Sequence, residues 1–225
     1  MKSFLCFLLL TCNALLLSAQ VFDVEPIKVS GDNDKRINLV IMGDGYTTAQ
    51  LDEFITDATS FSNSMFNKAP LKEYADYFNV YAIKVPSNES GADHPGTGNA
   101  TDESNWPIPT VTVDTYFNAT FDSFGNHFLL FYEADENYAN NTEAKIISVL
   151  ADNFPTYDQA LILVNSGYYG GSGGQFPMAS TGISSNEIAI HELGHSLFDL
   201  KDEYYPGDDL AAEAANMTHM NNISN

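Results

Sequence analysis

The residues best suited to chemistry lie in one short segment, His191-Glu192-Leu193-Gly194-His195. Two histidines four positions apart lie on the same side of a helix, so both imidazoles can reach one metal ion. A glutamate beside the open position of that metal can act as the general base for a water molecule. The spacing therefore predicts a hydrolytic zinc centre with His191 and His195 as ligands and Glu192 as the base.

The surrounding sequence favours a half-buried helix that would hold these residues. An apolar run at 188–190 leads into the segment, and Leu193 and Leu197 follow at helical spacing. Ser185 or Asn186 is the predicted N-cap. The alternative is a structural helix with exposed histidines, because the five-residue pattern recurs by chance in unrelated proteins.

The first residues predict a secretory signal peptide. A basic start and a mostly apolar stretch at 4–17 precede the small pair Ser18-Ala19, so residues 1–19 are expected to be removed and 20–225 to form one domain. The apolar stretch is too short for a transmembrane anchor. Cys6 and Cys12 both lie in it, so the mature chain is expected to lack disulfides and to be secreted, periplasmic or held at the cell surface.

The composition is strongly acidic. The chain has 30 acidic and 9 basic residues and a formal net charge of -21, which becomes -22 when Lys2 leaves with the signal. Such a charge argues against binding to nucleic acid or anionic membranes and is otherwise explained by solubility. The sequence contains no Asp-x-Asp-x-Asp loop of the EF-hand type and so gives no indication of a calcium site.

Strand and helix patterns alternate along the chain. Strands are predicted at 37–42, 78–85, 128–132 and 160–164, and helices from Thr47 or Thr48 to about Asn67 and at 143–153. The alternation predicts an α/β domain with helices packed on a central sheet. No repeat or linker divides the mature chain.

Two loops between these elements are candidates for function. The long polar loop Pro86–Pro109 is expected to be functional or mobile. The glycine-rich stretch Tyr168–Gly174 is either a flexible turn, the favoured interpretation, or an edge near the cleft that a peptide can approach. The remaining histidines are predicted to be surface or loop residues rather than ligands; they are His94, His127 and His219.

The segment His191 to Tyr204 resembles the signature of the immunoglobulin A peptidase family of secreted bacterial zinc metallopeptidases. That signature is HExGH, four variable residues, Leu, one variable residue and Asp-Glu-Tyr. Similar blocks occur at 37–46, which contains Gly-Asp-Gly-Tyr, at 74–95 and at 165–174. The resemblance covers most of the mature chain. It implies a zincin-like α/β catalytic domain with a central mixed sheet, packed helices and HExxH on the active-site helix.

The resemblance also implies roles for individual residues. His191 and His195 would bind Zn2+, Glu192 would be the catalytic base and Asp202 the third ligand. Tyr204 is a candidate donor to the developing oxyanion, as is its neighbour at 205.

Asp199 and Glu203 remain alternatives to Asp202 as the third ligand. A helix that continued through position 202 would carry Asp202 away from His195 by about 1.5 Å per residue, so the helix must end before it if Asp202 is a ligand. Many family members have glycines at the positions of Phe198 and Asp199. The sequence therefore leaves open how the chain bends between Phe198 and Asp202.

The resulting hypothesis is a secreted zinc-dependent endopeptidase that acts on proteins or peptides, with host glycoproteins among the candidate substrates. The first alternative is a metal-dependent module that binds host glycoprotein or polysaccharide without cutting it. A third, weaker one is a zinc amidohydrolase that acts on other amides. The polar tail suggests a truncated C-terminus. The sequence specifies neither the substrate nor the oligomeric state.

Overall fold

The computed structural model describes residues 21–132, 141–182 and 184–201. The predicted signal peptide lies outside the described residues, as do Asp202, Glu203, Tyr204 and His219. Within the described part of the chain, none of the helices has both the length and the apolar character needed to cross a bilayer.

A mixed sheet forms the centre of the domain. In the described residues it has six strands in the order β1-β3-β2-β4-β6-β5. Their bounds are β1 Val24–Lys28, β2 Ile37–Asp44, β3 Phe78–Ile83, β4 Gln159–Val164, β5 Gly171–Ser172 and β6 Met178–Ser180. The inner strands β3, β2, β4 and β6 are parallel to one another, whereas β1 and β5 run antiparallel to their neighbours at the two ends.

The centre of strand β2 is apolar because both faces of the sheet are covered. Leu39 and Ile41 point to one hydrophobic cluster, and Val40 and Met42 point to the other. All four side chains are fully buried. A continuous apolar run is the pattern expected of a central parallel strand, and it is the reason that β2, β3 and β4 could be predicted from the sequence.

Helices cover the two faces unequally. The helices α1 (Leu51–Phe66) and α4 (Ser185–Phe198) pack on one face, where α1 buries Phe54, Ala58, Phe61 and Met65. The helix α3 (Thr142–Asn153) packs on the other face. Both α1 and α3 confirm the sequence predictions to within a few residues. The short helix α2 (Ala100–Asn105) lies in the loop that follows β3.

The loop after β3 is much longer than predicted and belongs to the core. It runs from Pro86 to Tyr132 without a named strand, and its side chains Phe117, Phe121 and Leu130 are buried against the sheet. It covers much of the face that α3 leaves open.

Asp44, at the end of β2, ties this loop to the sheet. Its Oδ1 accepts hydrogen bonds from the Phe117 backbone N–H at 2.8 Å and the Ser87 hydroxyl at 3.2 Å. Its Oδ2 accepts from the Ala119 N–H and the Thr115 hydroxyl, both at 2.9 Å. The carboxylate is fully buried, so four donors compensate for the hydration it has lost.

The turn that follows Asp44 brings two of the resemblance blocks together. The N–H of Gly91 donates to the Gly45 carbonyl at 3.1 Å. Gly45 has φ +71°, and a Cβ there would lie 1.9 Å from the Gly91 oxygen. Only glycine fits this position, because any side chain would collide with the backbone of the loop.

The predicted strand at 128–132 is wrong. Phe131 forms an isolated bridge with Thr120, whereas Leu129 forms one with Gly171. Neighbouring residues therefore pair with different partners, and no continuous ladder develops. The run of apolar residues here arises from partial burial of a loop.

Three strands were not predicted. β1 lies before the first predicted strand, β5 lies in the predicted flexible turn, and β6 follows it. β5 has two residues and β6 three, which is too short for a periodic pattern. Their pairing depends on the neighbouring strand β4 rather than on their own composition.

Candidate metal centre

The helix α4 carries the segment His191 to His195. Ala189 and Leu193 are buried against the sheet, while His191 is exposed on the other side of the helix. The helix begins at Ser185 after Ser184, which has φ 65° and makes no side-chain capping bond. The predicted cap at Ser185 or Asn186 is therefore wrong, although the predicted helix is present.

The two histidines converge at one point. Their Nε2 atoms are 3.1 Å apart, and the rings are nearly perpendicular. Two nitrogens bound to one tetrahedral zinc at about 2.0–2.1 Å are separated by about 3.3 Å. Glu192 belongs to the same group, since one ligand atom from each of the three residues lies within 4.8 Å of the others. The arrangement is suited to holding a metal ion.

The tautomer of His195 suits this role. Its Nδ1 is 2.8 Å from the carbonyl oxygen of Leu200, which can only accept, so Nδ1 carries the proton. In the neutral ring the lone pair is then on Nε2, the atom that faces His191. A carbonyl that orients a histidine from its far nitrogen is common at metal sites.

The helix α4 ends before Asp202, as it must if a residue after the helix is to bind the same metal as His195. Phe198 is its last residue, and Asp199 adopts the left-handed conformation with φ 52°. The N–H of Leu200 then donates to the Gly194 carbonyl at 3.0 Å. The chain therefore turns back toward the histidines instead of continuing along the helix axis.

Of the three candidate third ligands, the structure describes only Asp199. Its side chain is 89 % exposed and forms an ion pair with Lys201 at 2.7 Å. Among the described residues, the group formed by His191, Glu192 and His195 does not include it. Asp202 and Glu203 lie outside the described residues.

The glycine-rich stretch adjoins the site. A Cβ at Gly173 would lie 3.0 Å from Oε2 of Glu192 and 3.8 Å from Cδ2 of His195. A Cβ at Gly171 would lie 2.4 Å from Ile188 on α4. The glycines thus allow β5 and its continuation to lie directly on the helix, and the favoured interpretation as a flexible turn is wrong.

A large apolar cavity of about 900 Å³ lies on a different side of α4. It is lined by residues that include Ile190, Gly194 and Phe198, and by none of the three residues of the candidate centre. The exposed site at His191 and Glu192, rather than this cavity, has the chemistry for catalysis.

A second group of side chains that could hold a metal ion was not identified from the sequence. His94 and His127 are loop residues as predicted, but they are buried and lie beside Glu103 and Asp122. They are therefore not surface residues, while the prediction that they are not ligands stays a prediction. Their spacing matches no short motif, and the length of the polar loop was the one available signal.

Comparison with known proteins identifies the family of the chain. The family model for IgA Peptidase M64 matches residues 25–222. No curated protein matches the chain. Because the family model covers most of the sequence, the chain belongs to the IgA Peptidase M64 family and is a metallopeptidase.

Proposed function

We propose that the protein is a secreted zinc-dependent endopeptidase. The observation that carries the proposal is the 3.1 Å separation of the His191 and His195 Nε2 atoms, with Glu192 in the same group. Family membership supports peptide hydrolysis, and the geometry supports its location at these residues.

Zinc is the metal that best suits this donor set. Two imidazole nitrogens and one carboxylate are a common ligand set of catalytic zinc, which keeps a fourth position open. We assign the third position to Asp202 from the resemblance of the segment to the family signature. The end of the helix at Phe198 and the pairing of Asp199 with Lys201 agree with this assignment. A bound zinc ion supplies a Lewis acid that acidifies water and polarises a carbonyl.

Glu192 performs the proton transfers in this proposal. Its carboxylate belongs to one group with both histidines, so it would be close to a water molecule held there. It accepts the proton of that water as the water attacks the scissile carbonyl carbon. The same carboxyl group then donates the proton to the leaving amine as the C–N bond breaks, so no covalent intermediate forms on the protein. A tyrosine hydroxyl, from Tyr204 or Tyr205, completes the proposal as a donor to the oxyanion.

The backbone beside Glu192 offers a place for the substrate chain. Gly173 and Gly174 have no side chains and follow the short strand β5. An extended peptide that approached this backbone would pass over Glu192, because Gly173 lies against its carboxylate. The family supports a protein or peptide substrate, and the binding module without catalysis is not favoured.

Secretion is proposed from the sequence of residues 1–19, which has the basic start, apolar centre and small residues of a signal peptide. The N-terminal sequence of the protein recovered from the host's culture medium and periplasm tests this. A mature start at Gln20 is expected.

The test of the proposed reaction compares the parent chain with Glu192→Ala. Both are incubated with a diverse peptide library, with immunoglobulin and with casein, and zinc is measured by mass spectrometry. Glu192→Ala should retain its zinc and lose hydrolysis by about 10³-fold or more. His191→Ala should lose both. Hydrolysis by Glu192→Ala at the parent rate, or hydrolysis insensitive to chelators, contradicts the proposal.

A further inference from the structure

Four ionisable side chains meet inside the long loop between β3 and α3. They are His94, Glu103 on α2, Asp122 and His127. The two histidines are each 1 % exposed and Asp122 is 3 % exposed, so the cluster lies in the protein interior. Glu103 is 22 % exposed, but its Oε1 is buried beside Asp122, and two carboxylate oxygens buried at one point are costly unless a positive charge compensates them.

The atoms of this cluster are close together, but some of them have no hydrogen-bond partner. Nε2 of His94 is 3.0 Å from an oxygen of Asp122 and 3.3 Å from Oε1 of Glu103. Yet among the described residues neither ring nitrogen of His94 has an aligned hydrogen-bond partner, nor does Oε1 of Glu103. Buried polar atoms without partners are rare and indicate a missing ligand or ion.

The tautomer of His127 strengthens this conclusion. Its Nε2 is 2.6 Å from the Trp106 carbonyl oxygen and must donate to it. In the neutral ring, Nδ1 then directs a lone pair toward Asp122 at 3.0 Å and Glu103 at 3.3 Å. Three electron-rich atoms facing one another require a cation between them.

A proton satisfies only part of this requirement. A protonated His127 would bring one positive charge to two carboxylates. It would leave Nε2 of His94 without an aligned partner.

We propose that these four side chains bind a second divalent metal, a structural zinc ion. The four nitrogen-to-oxygen distances are 3.0, 3.0, 3.3 and 3.3 Å. Ligands on one tetrahedral zinc at about 2.0–2.1 Å are about 3.3 Å apart. Two imidazoles favour zinc over calcium or magnesium, which take oxygen ligands. With four protein ligands, the site has no open position and serves structure rather than catalysis.

The groups around the cluster hold its ligands in place. The Trp106 carbonyl orients His127, and the Thr97 backbone N–H donates to Oδ2 of Asp122 at 2.8 Å. A Cβ at Gly98 would lie 2.8 Å from Oδ1 of Asp122. Backbone groups that fix both a histidine and a carboxylate are typical of the surroundings of a metal site.

The position of the cluster gives the metal a role in the cleft. The residues directly after His127 pair with β5, since the Gly171 N–H donates to the Phe128 carbonyl and the Leu130 N–H donates to the Gly171 carbonyl. The Ser172 hydroxyl donates to the Leu130 carbonyl at 2.6 Å. Two residues beyond Gly171, the chain lies against Glu192. The metal would therefore hold the segment that supports the edge strand beside the proposed catalytic base.

The test uses the full mature chain and two reciprocal double variants. His191→Ala/His195→Ala removes the proposed catalytic zinc and leaves the buried cluster intact, whereas His94→Asn/His127→Asn does the reverse. After gel filtration without chelator, mass spectrometry should find about two zinc ions per parent chain and about one in each variant. A His191→Ala/His195→Ala chain that is folded and holds no metal overturns the proposal.

A second measurement applies even if His94→Asn/His127→Asn does not fold. X-ray absorption on His191→Ala/His195→Ala should show zinc with two imidazoles and carboxylate oxygens at about 2.0–2.1 Å. Removing this zinc should lower the melting temperature by about 10 °C or more, and added zinc should restore it. An unchanged melting temperature, or another ligand set, contradicts the structural site. Neither result depends on peptide hydrolysis, so the two proposals fail separately.

Discussion

The backbone of Gly173 lies directly against the carboxylate of Glu192. A Cβ added to Gly173 would be 3.0 Å from Oε2, closer than nearly all real Cβ contacts. The atom it would displace is the end of a flexible side chain, so the displacement costs little stability. It would, however, move the group proposed to transfer the proton.

Gly173→Ala should therefore reduce activity more than stability. We expect kcat/KM to fall about 10-fold with zinc content unchanged, since small displacements of a catalytic group cost large factors in rate. The melting temperature should change by less than about 2 °C. Peptide hydrolysis and thermal unfolding are measured on the same preparations.

Gly167→Ala is the matched control for Gly173→Ala. It lies in the same connection between β4 and β5, and a Cβ there would meet no atom within 4 Å. It should leave both rate and stability unchanged. Equal activity of the two variants would show that the Gly173 contact does not position Glu192.

The left-handed residue that ends α4 leads to a prediction about stability. Asp199 has φ 52°, a conformation that glycine adopts without steric cost. Asp199→Gly should raise the free energy of unfolding by about 0.5–1 kcal/mol, whereas Asp199→Ala should lower it. The lost ion pair with Lys201 is exposed and contributes little.

Urea unfolding of both Asp199 variants and the parent tests this effect. Both variants should keep their zinc and activity, because Asp199 is not a ligand in our proposal. If Asp199→Gly were less stable than Asp199→Ala, the turn in solution would differ from the one described here.

The central fold was predictable because its patterns are long. The apolar run of β2 and the amphipathic α1 each depend on residues close in sequence, and both were found. β5 and β6 were not, because two or three residues carry no periodicity and their pairing is set by strands far along the chain. The loop at 128–132 imitates a strand because it is buried.

The candidate catalytic centre could be predicted because helical spacing alone brings His191 and His195 together. The second cluster could not, because its four members are brought together by folding of the long loop. Its residues span His94 to His127, and each is unremarkable in sequence. Burial and missing hydrogen-bond partners are properties of the folded chain, so only the structure revealed them.

Asp44 allows a test of how the long loop is held. Asp44→Asn replaces one accepting oxygen by an amide that donates, and so opposes two of the four donors that the carboxylate receives. We expect the free energy of unfolding to fall by about 2–4 kcal/mol. Asp76→Asn changes an exposed carboxylate in the same way and should cost less than about 0.5 kcal/mol. Equal losses for the two variants would rule out Asp44 as the anchor of the loop.

The third zinc ligand can be identified by comparing three carboxylates. Asp202→Ala, Asp199→Ala and Glu203→Ala are each titrated with a competing chelator in the His94→Asn/His127→Asn background, or in the parent if that chain does not fold. Because α4 ends at Phe198 and turns back, only Asp202→Ala should weaken the catalytic zinc, by about 100-fold or more. Peptide hydrolysis by Asp202→Ala should fall together with its affinity for zinc. If Glu203→Ala loses zinc and Asp202→Ala does not, the third ligand is Glu203 rather than Asp202. The roles proposed for His191 and His195 would not change.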